Sequence, residues 1–469
     1  MNLFQDVYIS IFNKIFELTG RVSPRVREIA NTICLVILVL VVFTRALLKS
    51  VGIISMGIHD ITVIGIILTA MICILSIEKP LERVAWNKWI YIPYFMAAVC
   101  MALMSIDHEV GVGFRSYPFI LLFLFPALYL VWGNSDKYEK YIDTIAVTLA
   151  ITGVAIVVFF AMYAPLNGNT FSGPRYLAVC SNPNAVSVLM IVPIAAALYL
   201  AQKQKKLMPL YAIISGMCCT IVMLTQSRTA ILVVITQLIV WAIIVLRTSE
   251  KGKIIKNAVI AAVTIVIVIA SGMCMSMVME SNILAVGDLG KQLPRPEPVV
   301  AEAPVAEESG TVNAADEQNI ETPTRFDTEG KDINQISNNR IALWKWHIDR
   351  LHVRGNSCDN REVYLEGSPV PMEDAHNIIL EIAYRYGIFS GIFFAIFFIV
   401  AVFIVVRNII TGNLKPTSMF VYLIMVAFAY ESMLDVIVLP YRFGVALIAY
   451  ILLIEIFEDA KPIKKANRG

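Results

Sequence analysis

Twelve strongly apolar stretches constrain this chain more than any other feature of its sequence. A helix needs about 20 mostly apolar residues to cross the hydrocarbon core of a membrane, and stretches of that kind recur between residues 29 and 457. Charged residues make up only 16% of the chain, whereas soluble domains average about 25%. We therefore predict an all-α polytopic membrane protein with about 12 transmembrane helices. The predicted spans are 29–48, 56–77, 89–106, 117–133, 141–163, 184–201, 208–224, 229–246, 257–280, 387–406, 417–434 and 441–457.

Lysine and arginine residues assign the two faces of the predicted membrane domain. Loops that stay in the cytoplasm are enriched in these residues, and here they concentrate in residues 1–28, in every second loop and in the tail at 459–469. Both termini of this multi-pass protein are therefore predicted to lie on the cytoplasmic side of the cell membrane. Spans one to nine occupy 29–280, and the last three lie within 376–458. The one large loop between them, 281–375, is predicted to be external.

The predicted external loop has two parts of different composition. Residues 288–330 are acidic, rich in proline and alanine, and nearly devoid of aromatic residues. Such a segment cannot bury enough apolar surface to fold alone, and we interpret it as a disordered insertion. Residues 337–357 regain helical periodicity and carry Trp344 and Trp346 among basic residues, which is typical of a helix lying at a membrane surface.

Several classes of function are disfavoured by the sequence. The cytoplasmic loops are too short for a nucleotide-binding domain, and no phosphate-binding glycine motif is present. The net charge of +2 is explained by membrane topology, so nucleic acid is not a predicted partner. The acidic and histidine residues of 107–109 and 373–376 lack the spacing of a strong metal motif. We therefore expect neither a metal nor a cofactor.

Three arginines and a histidine fall at the predicted external ends of the spans. Arg175 precedes span six, Arg228 lies in a very short turn before span eight, Arg340 begins the second part of the loop, and His376 ends it. A guanidinium group can bind a phosphate through two parallel hydrogen bonds, so a lipid diphosphate would suit such a set. For each arginine alone, the alternative is a side chain that reaches the lipid headgroups.

His376 lies at the border between the polar loop and an apolar run. Proline and acidic residues within 371–374 look like a helix start, which predicts that His376 lies in the first turn of a helix continuing without a break into span ten. Gly387 and Gly391 fall on the same stripe, at a spacing that lets helices approach closely. A neutral imidazole can accept a proton from an attacking hydroxyl. The alternative is a capping or interface histidine.

A helix beginning at Arg340 would place Trp344 and His347 on the same face as the arginine. Such a face can present phosphate and sugar-stacking contacts together, although an ordinary surface helix has the same pattern. We expect the side chains of His347 and His352 to face solvent or lipid.

Four short motifs share this predicted face and occur within roughly residues 170–400. They are RYLAVCSNPNAVSVLM (Arg175–Met190), QSRTA (Gln226–Ala230), NNRIALWKWHIDRLHVRGNS (residues 338–357) and AHNIILEIAYRYGIFSG (Ala375–Gly391). Together they resemble the O-antigen ligase-like family of bacterial membrane glycosyltransferases, with its R-x-x-G followed by N-P-N, its S-R turn, its R-x-x-x-W and its H-N-x-x-L. One departure is Ala178, where the family has a glycine.

The resemblance implies a C-type glycosyltransferase fold and a metal-independent, inverting transfer of a glycan from an undecaprenyl-diphosphate donor to an acceptor hydroxyl. It implies that Arg228 and Arg340 bind the diphosphate and that His376 activates the hydroxyl. The implied partners are the lipid-linked glycan donor, the glycan acceptor, membrane lipids and other polysaccharide-assembly proteins. Further candidate substrate-binding residues are Arg175, Asn182, Asn184, Trp344 and Asn377.

Two other functions fit the same residues. A transporter or flippase could bind an anionic or lipid-linked substrate through its external arginines, although transporters usually carry charged or broken-helix positions near the middle of the membrane. A membrane anchor for an interaction loop would leave Arg228 dispensable. The sequence does not separate a polysaccharide polymerase from a ligase, since both use the same donor.

Overall fold

The computed structural model describes residues 2–107, 112–162, 171–172, 175–178, 180, 182–248, 252–290, 337, 339–356, 374–412, 414–434 and 437–458. Helices account for most of these residues. In chain order they are α1 (Asn2–Thr19), α2 (Pro24–Ser50), α3 (Ile58–Leu75), α4 (Lys88–Asp107), α5 (Val112–Phe119), a π-helical turn (Ile120–Leu124), α6 (Phe125–Gly133), α7 (Tyr138–Met162), α8 (Pro183–Lys203), a 3₁₀ turn (Lys205–Leu207), α9 (Met208–Thr225), α10 (Arg228–Arg247), α11 (Ile254–Gly290), α12 (Arg340–Ile348), α13 (Ile378–Tyr386), α14 (Ile388–Thr411), α15 (Ser418–Leu434), α16 (Gly444–Leu452) and α17 (Ile454–Phe457). A two-residue antiparallel pairing joins Phe171–Ser172 to Arg175–Tyr176.

The helices confirm an all-α, multi-pass membrane protein. Within the described residues, nine helices are long and apolar enough to cross a membrane. Three shorter apolar helices, His59–Leu75, Ser418–Leu434 and Gly444–Phe457, coincide with the remaining predicted spans. The count of twelve crossings stays a prediction. The nine long helices are Pro24–Lys49, Lys88–Ile106, Gly113–Gly133, Tyr138–Met162, Pro183–Lys203, Lys205–Thr225, Arg228–Arg247, Ile254–Ser281 and Ile388–Thr411.

Burial explains why some of these helices can be short. Every residue of α16 and α17 is buried, as is most of the first half of α15. A helix enclosed by other helices does not have to match the thickness of the lipid, because protein satisfies the polar groups at its ends.

Two predicted boundaries change in the structure. Helix α11 continues to Gly290, so the predicted external loop, expected from residue 281, begins as a helix. Apart from its first three residues, the predicted insertion 288–330 lies outside the described residues. The N-terminal segment 1–28 is also more than a polar tail, because it contains α1 and the first turns of α2.

Helix α1 is held against the loop between α3 and α4. The side chain of Gln5 donates to the Val84 carbonyl oxygen at 3.0 Å and accepts from the Val84 amide at 3.1 Å. Arg83 makes a bidentate ion pair with Asp6, with both N–O distances at 2.7 Å. The mixed polar and apolar composition of these residues is therefore that of an amphipathic helix with a packed face.

Ion pairs join the loops that the basic residues assign to the cytoplasm. Lys137 bonds to Glu28 at 2.9 Å and to Glu78 at 3.0 Å, which links two loops to the beginning of α2. Lys415 bonds to Glu458 at 2.5 Å. Alternate helix ends therefore meet at one end of the bundle, as the topology requires. Which side of a membrane this end faces stays a prediction.

The prediction of an unbroken helix from His376 into span ten is wrong. Gly387, with φ +90°, separates α13 from α14. A Cβ atom added at Gly391 would lie 2.4 Å from the Cβ of Ala383, although residues eight apart in one straight helix would be about 12 Å apart. The bend thus folds α13 back onto α14, and Gly391 makes room for this contact.

We predict that Gly387→Ala destabilises the protein much more than Gly412→Ala. Both glycines have positive φ, but a Cβ at Gly387 would lie 2.1 Å from the Val353 carbonyl oxygen, whereas nothing lies within 4 Å at Gly412. Left-handed strain alone costs about 1–2 kcal/mol, and the collision adds to it at Gly387. Thermal unfolding in detergent measures the difference, and equal losses for the two variants would contradict the proposed close approach.

Candidate functional site

Backbone strain marks the four segments that the motifs single out. Among the described residues, the non-glycine residues with positive φ are Ala178 (+51°), Gln226 (+49°), Asn339 (+61°) and His376 (+48°). Each belongs to a different motif segment. Left-handed backbone is costly for a residue with a Cβ atom and tends to persist at functional sites. The strain and the motifs are independent observations, and they agree on the same four places.

The value at Ala178 shows why a glycine would suit this position, as in the motif that the chain resembles. A glycine is the residue that adopts positive φ without strain, and Ala178 keeps the left-handed conformation at φ +51°. Its methyl group is buried. The turn that follows Arg175 therefore has the backbone shape expected for a glycine, at a cost of about 1–2 kcal/mol.

Arg175 connects its own loop to the turn that carries Arg228. Its Nε donates to the Thr225 carbonyl oxygen at 3.1 Å, and its Nη2 donates to Asn184 Oδ1 at 2.8 Å. Thr225 is the last residue of α9, and Gln226 caps that helix in the left-handed conformation. Two of the four motif segments are thus bonded together. Asn182 is the N-cap of α8, because its side chain accepts from the Asn184 amide at 2.8 Å.

Arg228 and Arg340 each form the first residue of a helix, α10 and α12. The residues before them, Ser227 and Asn339, make no side-chain capping bond to the first turn. An arginine is unfavourable at the positive end of a helix dipole. A bound anion changes this, because it interacts favourably with both the guanidinium group and the first amides of the helix. Both positions are therefore suited to phosphate.

His376 lies outside the helix in which it was predicted. The helix α13 begins at Ile378, and Asn377 is its N-cap, accepting hydrogen bonds from the amides of Ile379 and Leu380, both at 3.1 Å. His376 immediately precedes this cap and is half-buried. The prediction that His376 lies in the first helical turn is wrong, because residues 374–377 precede the helix and Asn377 provides its cap. Residues 371–373, part of the predicted helix start, lie outside the described residues. Asn377 thereby gains a structural role that the sequence analysis lacked.

Contacts between α10 and α15 place the His376 segment at the same end of the bundle as Arg228. The Asn377 side chain donates to the Met433 carbonyl oxygen, near the end of α15, at 3.4 Å. Helix α10 contacts α15 at two levels, because Thr236 bonds to the Tyr430 hydroxyl at 3.3 Å and the Gln237 side chain donates to the Leu423 carbonyl oxygen at 3.0 Å. The later residue of α10 meets the earlier residue of α15, as in antiparallel helices. With a rise of about 1.5 Å per residue, Arg228 and Met433 both lie beyond these contacts in the same direction.

Helix α12 packs directly on α13. The rings of Trp346 and His347 lie 5.9 Å and 5.0 Å from the ring of Tyr384. The loop after α12 continues the contact, because the Asn356 amide donates to the Tyr384 carbonyl oxygen at 2.7 Å. The segment that begins with Arg340 and the segment that follows His376 therefore form one unit.

The exposure of this helix differs from the prediction at one residue. His347 is fully buried rather than facing solvent or lipid, whereas His352 is exposed as predicted. Trp344 is half-buried, and its indole Nε1 has no hydrogen-bond partner in the described part of the chain. The helix therefore belongs to the protein core on one side. The amphipathic pattern could not distinguish a membrane surface from the surface of α13.

Two charged residues of this region escaped the sequence analysis. Glu381 and Arg385 form an ion pair on α13, and Arg385 also bonds to Asp374 at 3.3 Å. Burial alone would lower the pKa of Arg385, but the Glu381 and Asp374 carboxylates raise it above its ordinary value. A glutamate and an arginine four residues apart in the apolar run IILEIAYRY are the signal that could have revealed the pair.

A metal site does not emerge from the part of the chain that the structure describes. No group of three His, Cys, Asp or Glu side chains there could hold an ion. Of the two segments weighed in the sequence, His108, Glu109 and Glu373 lie outside the described residues.

No protein-family model matches the chain, and neither a curated protein nor a solved structure matches it. The likeness to the O-antigen ligase family is therefore carried by the four motifs.

We predict that Asn377→Ala lowers the stability of the protein by about 1 kcal/mol and that Asn377→Asp lowers it less. An aspartate oxygen can cap the two amides as asparagine does, although it cannot donate to the Met433 carbonyl oxygen, whereas alanine can do neither. Thermal unfolding in detergent measures the stability of both variants. The control is Ala185→Ser, a neutral change at an exposed residue of α8. Wild-type stability of the alanine variant would show that the cap is unimportant.

Proposed function

We propose that the protein is a membrane glycosyltransferase of the O-antigen ligase or polymerase type. It transfers a glycan from an undecaprenyl-diphosphate donor to an acceptor hydroxyl on the external face of the cytoplasmic membrane, in cell-surface polysaccharide biosynthesis. The observation that carries the proposal is the coincidence of the four motif segments with the four left-handed non-glycine residues of the described chain. Strained backbone of this kind persists where function requires it.

Two helix starts would receive the diphosphate of the donor. Arg228 and Arg340 each combine a guanidinium group with the first-turn amides of a helix that lacks a side-chain cap. When the bond to the sugar breaks, negative charge develops on the departing diphosphate. Two cationic groups in surroundings of low dielectric constant stabilise this charge far more than water does.

His376 would act as the general base. Its imidazole takes the proton of the acceptor hydroxyl while the hydroxyl oxygen attacks the anomeric carbon of the donor sugar. The bond from that carbon to the diphosphate oxygen breaks, and its electron pair leaves with the undecaprenyl diphosphate. Attack from the side opposite the leaving group inverts the anomeric configuration. A positioned base of this kind contributes about 100- to 10,000-fold in rate.

The break at Gly387 and the π-helical turn Ile120–Leu124 favour a transporter or flippase as a second candidate, because transporters bind substrates at interrupted helices. The π-helical turn keeps the two sides of its span, Gly113–Gly133, continuous and helical. Helix α14, however, has 24 residues and extends about 36 Å. It is long enough to cross the membrane by itself, so the break lies at its end rather than at its middle. Glycan transfer by the purified protein would separate the two candidates.

We predict that Arg228→Ala, Arg340→Ala and His376→Ala each reduce glycan transfer by at least about 100-fold, through loss of charge stabilisation or of the base. Arg228→Lys and Arg340→Lys should also lose most activity, because lysine cannot bind phosphate through two parallel bonds. Transfer is measured with purified protein and lipid-linked glycans extracted from the producing cells.

Matched variants control for the loss of one charge or one ring. Arg247 is exposed at the opposite end of the helix that Arg228 begins, and the side chain of His352 is exposed after α12. Arg247→Ala and His352→Ala should retain wild-type transfer. Full activity in all three site variants, in protein that inserts normally, would refute the proposed function.

A further inference from the structure

The ion pair of Glu381 and Arg385 is almost completely withdrawn from solvent. Glu381 is 0% exposed and Arg385 is 5% exposed. The two side chains lie one turn apart on α13, a helix of nine residues. Removing charges from water costs several kcal/mol per ion, and a well-packed apolar pair of similar volume is often at least as stable. Fold stability alone therefore gives little reason for an ion pair at this position.

The hydrogen bonds of the pair show what it holds. Glu381 Oε2 accepts from the Ala375 amide at 2.9 Å, and Arg385 Nη2 donates to Asp374 Oδ1 at 3.3 Å. Both partners lie in the two residues directly before His376. The ion pair thus holds the two residues, Asp374 and Ala375, that precede His376.

The other side of His376 is fixed as well. Asn377 caps α13 through its side chain and also reaches the Met433 carbonyl oxygen. His376 is therefore held between two anchored residues, in a left-handed conformation with φ +48°. With the backbone set on both sides, the imidazole can move only by rotation about its own side-chain bonds.

The pair is itself attached to the bundle. The guanidinium group of Arg385 lies over the ring of Phe114, 3.9 Å from its centroid, which is a cation–π contact. The hydroxyl of the next residue, Tyr386, donates to the Phe114 carbonyl oxygen. These contacts fix the position of the His376 segment relative to α5, which precedes the π-helical turn.

We propose that Glu381 and Arg385 are positioning residues for His376. They hold the segment Asp374–Asn377, with His376 in its left-handed conformation, and so set where the imidazole meets the acceptor hydroxyl. Neither residue is proposed to touch the substrate. The inference rests on the proposed function, since it takes His376 as the base.

The test replaces the pair by apolar residues and compares turnover with stability. The double variant Glu381→Leu/Arg385→Leu removes both buried charges together and should therefore fold. Its unfolding temperature in detergent should fall only slightly, because the Ala375 amide loses its acceptor. Its kcat should fall about 100-fold, because a displacement near 1 Å is enough for such a loss. The KM for the lipid-linked glycan donor should stay within twofold, because donor contacts lie on other helices. A purely structural role would not separate kcat from KM and stability in this way.

A single variant covers the case in which the double variant does not fold. Glu381→Gln keeps the volume and one acceptor oxygen for the Ala375 amide but removes the charge that faces Arg385. Its kcat should fall, whereas its KM for the lipid-linked glycan donor should stay unchanged. The control is Asp6→Leu/Arg83→Leu, which removes an exposed ion pair at the opposite end of the bundle and should leave kcat unchanged.

The outcomes separate this inference from the proposed function. If His376→Ala keeps its activity, the proposed function fails and the inference fails with it. If His376→Ala is inactive while the double variant, or Glu381→Gln where the double variant does not fold, keeps wild-type kcat, only the inference is overturned. A rise in KM without a fall in kcat would overturn it as well.

Discussion

Lipid offers no hydrogen bonds, and this constraint governs where the helices of the protein can be interrupted. Each break in a membrane helix releases backbone groups that other parts of the protein must satisfy. At the π-helical turn Ile120–Leu124, the Tyr94 hydroxyl donates to the Leu121 carbonyl oxygen at 2.8 Å. At Gly387, the released amide of Ile388 donates to the His352 carbonyl oxygen at 3.1 Å. At both breaks, neighbouring segments thus form hydrogen bonds with the backbone.

The break at Gly387 makes the arrangement around His376 understandable. Because α13 turns back onto α14, its nine residues lie at the end of the bundle, where buried charges can be surrounded by protein instead of lipid. Helix α12 and the loop after it, which come from another part of the chain, pack on α13 and help to enclose it. The proposed base, its cap and its ion pair are thus built on a short helix that lies outside the candidate spans.

Apolar length and period predict the twelve apolar helices of the described residues, since these depend only on local composition. Their ends agree to within about five residues, except that α11 continues to Gly290. The finer features depend on contacts between distant segments. Glycine is needed at 387 because the Val353 carbonyl oxygen lies where a Cβ atom would be. His347 is buried because its ring packs against Tyr384. Neither partner is visible from a periodic pattern. The cap at Asn377 could have been predicted, since asparagine before an apolar periodic run is a helix-start signal. The proline and acidic residues upstream indicate an earlier start instead.

The docking of α1 has a consequence for biosynthesis. The residues that bind this helix, Arg83 and Val84, lie almost eighty positions further along the chain, so α1 is synthesised well before them. Two apolar helices must be made before its polar face finds these partners. During that interval the apolar face of α1 is uncovered, a form that chaperones or the membrane surface would bind. The docking of α1 thus closes a loop of almost eighty residues that contains two apolar helices.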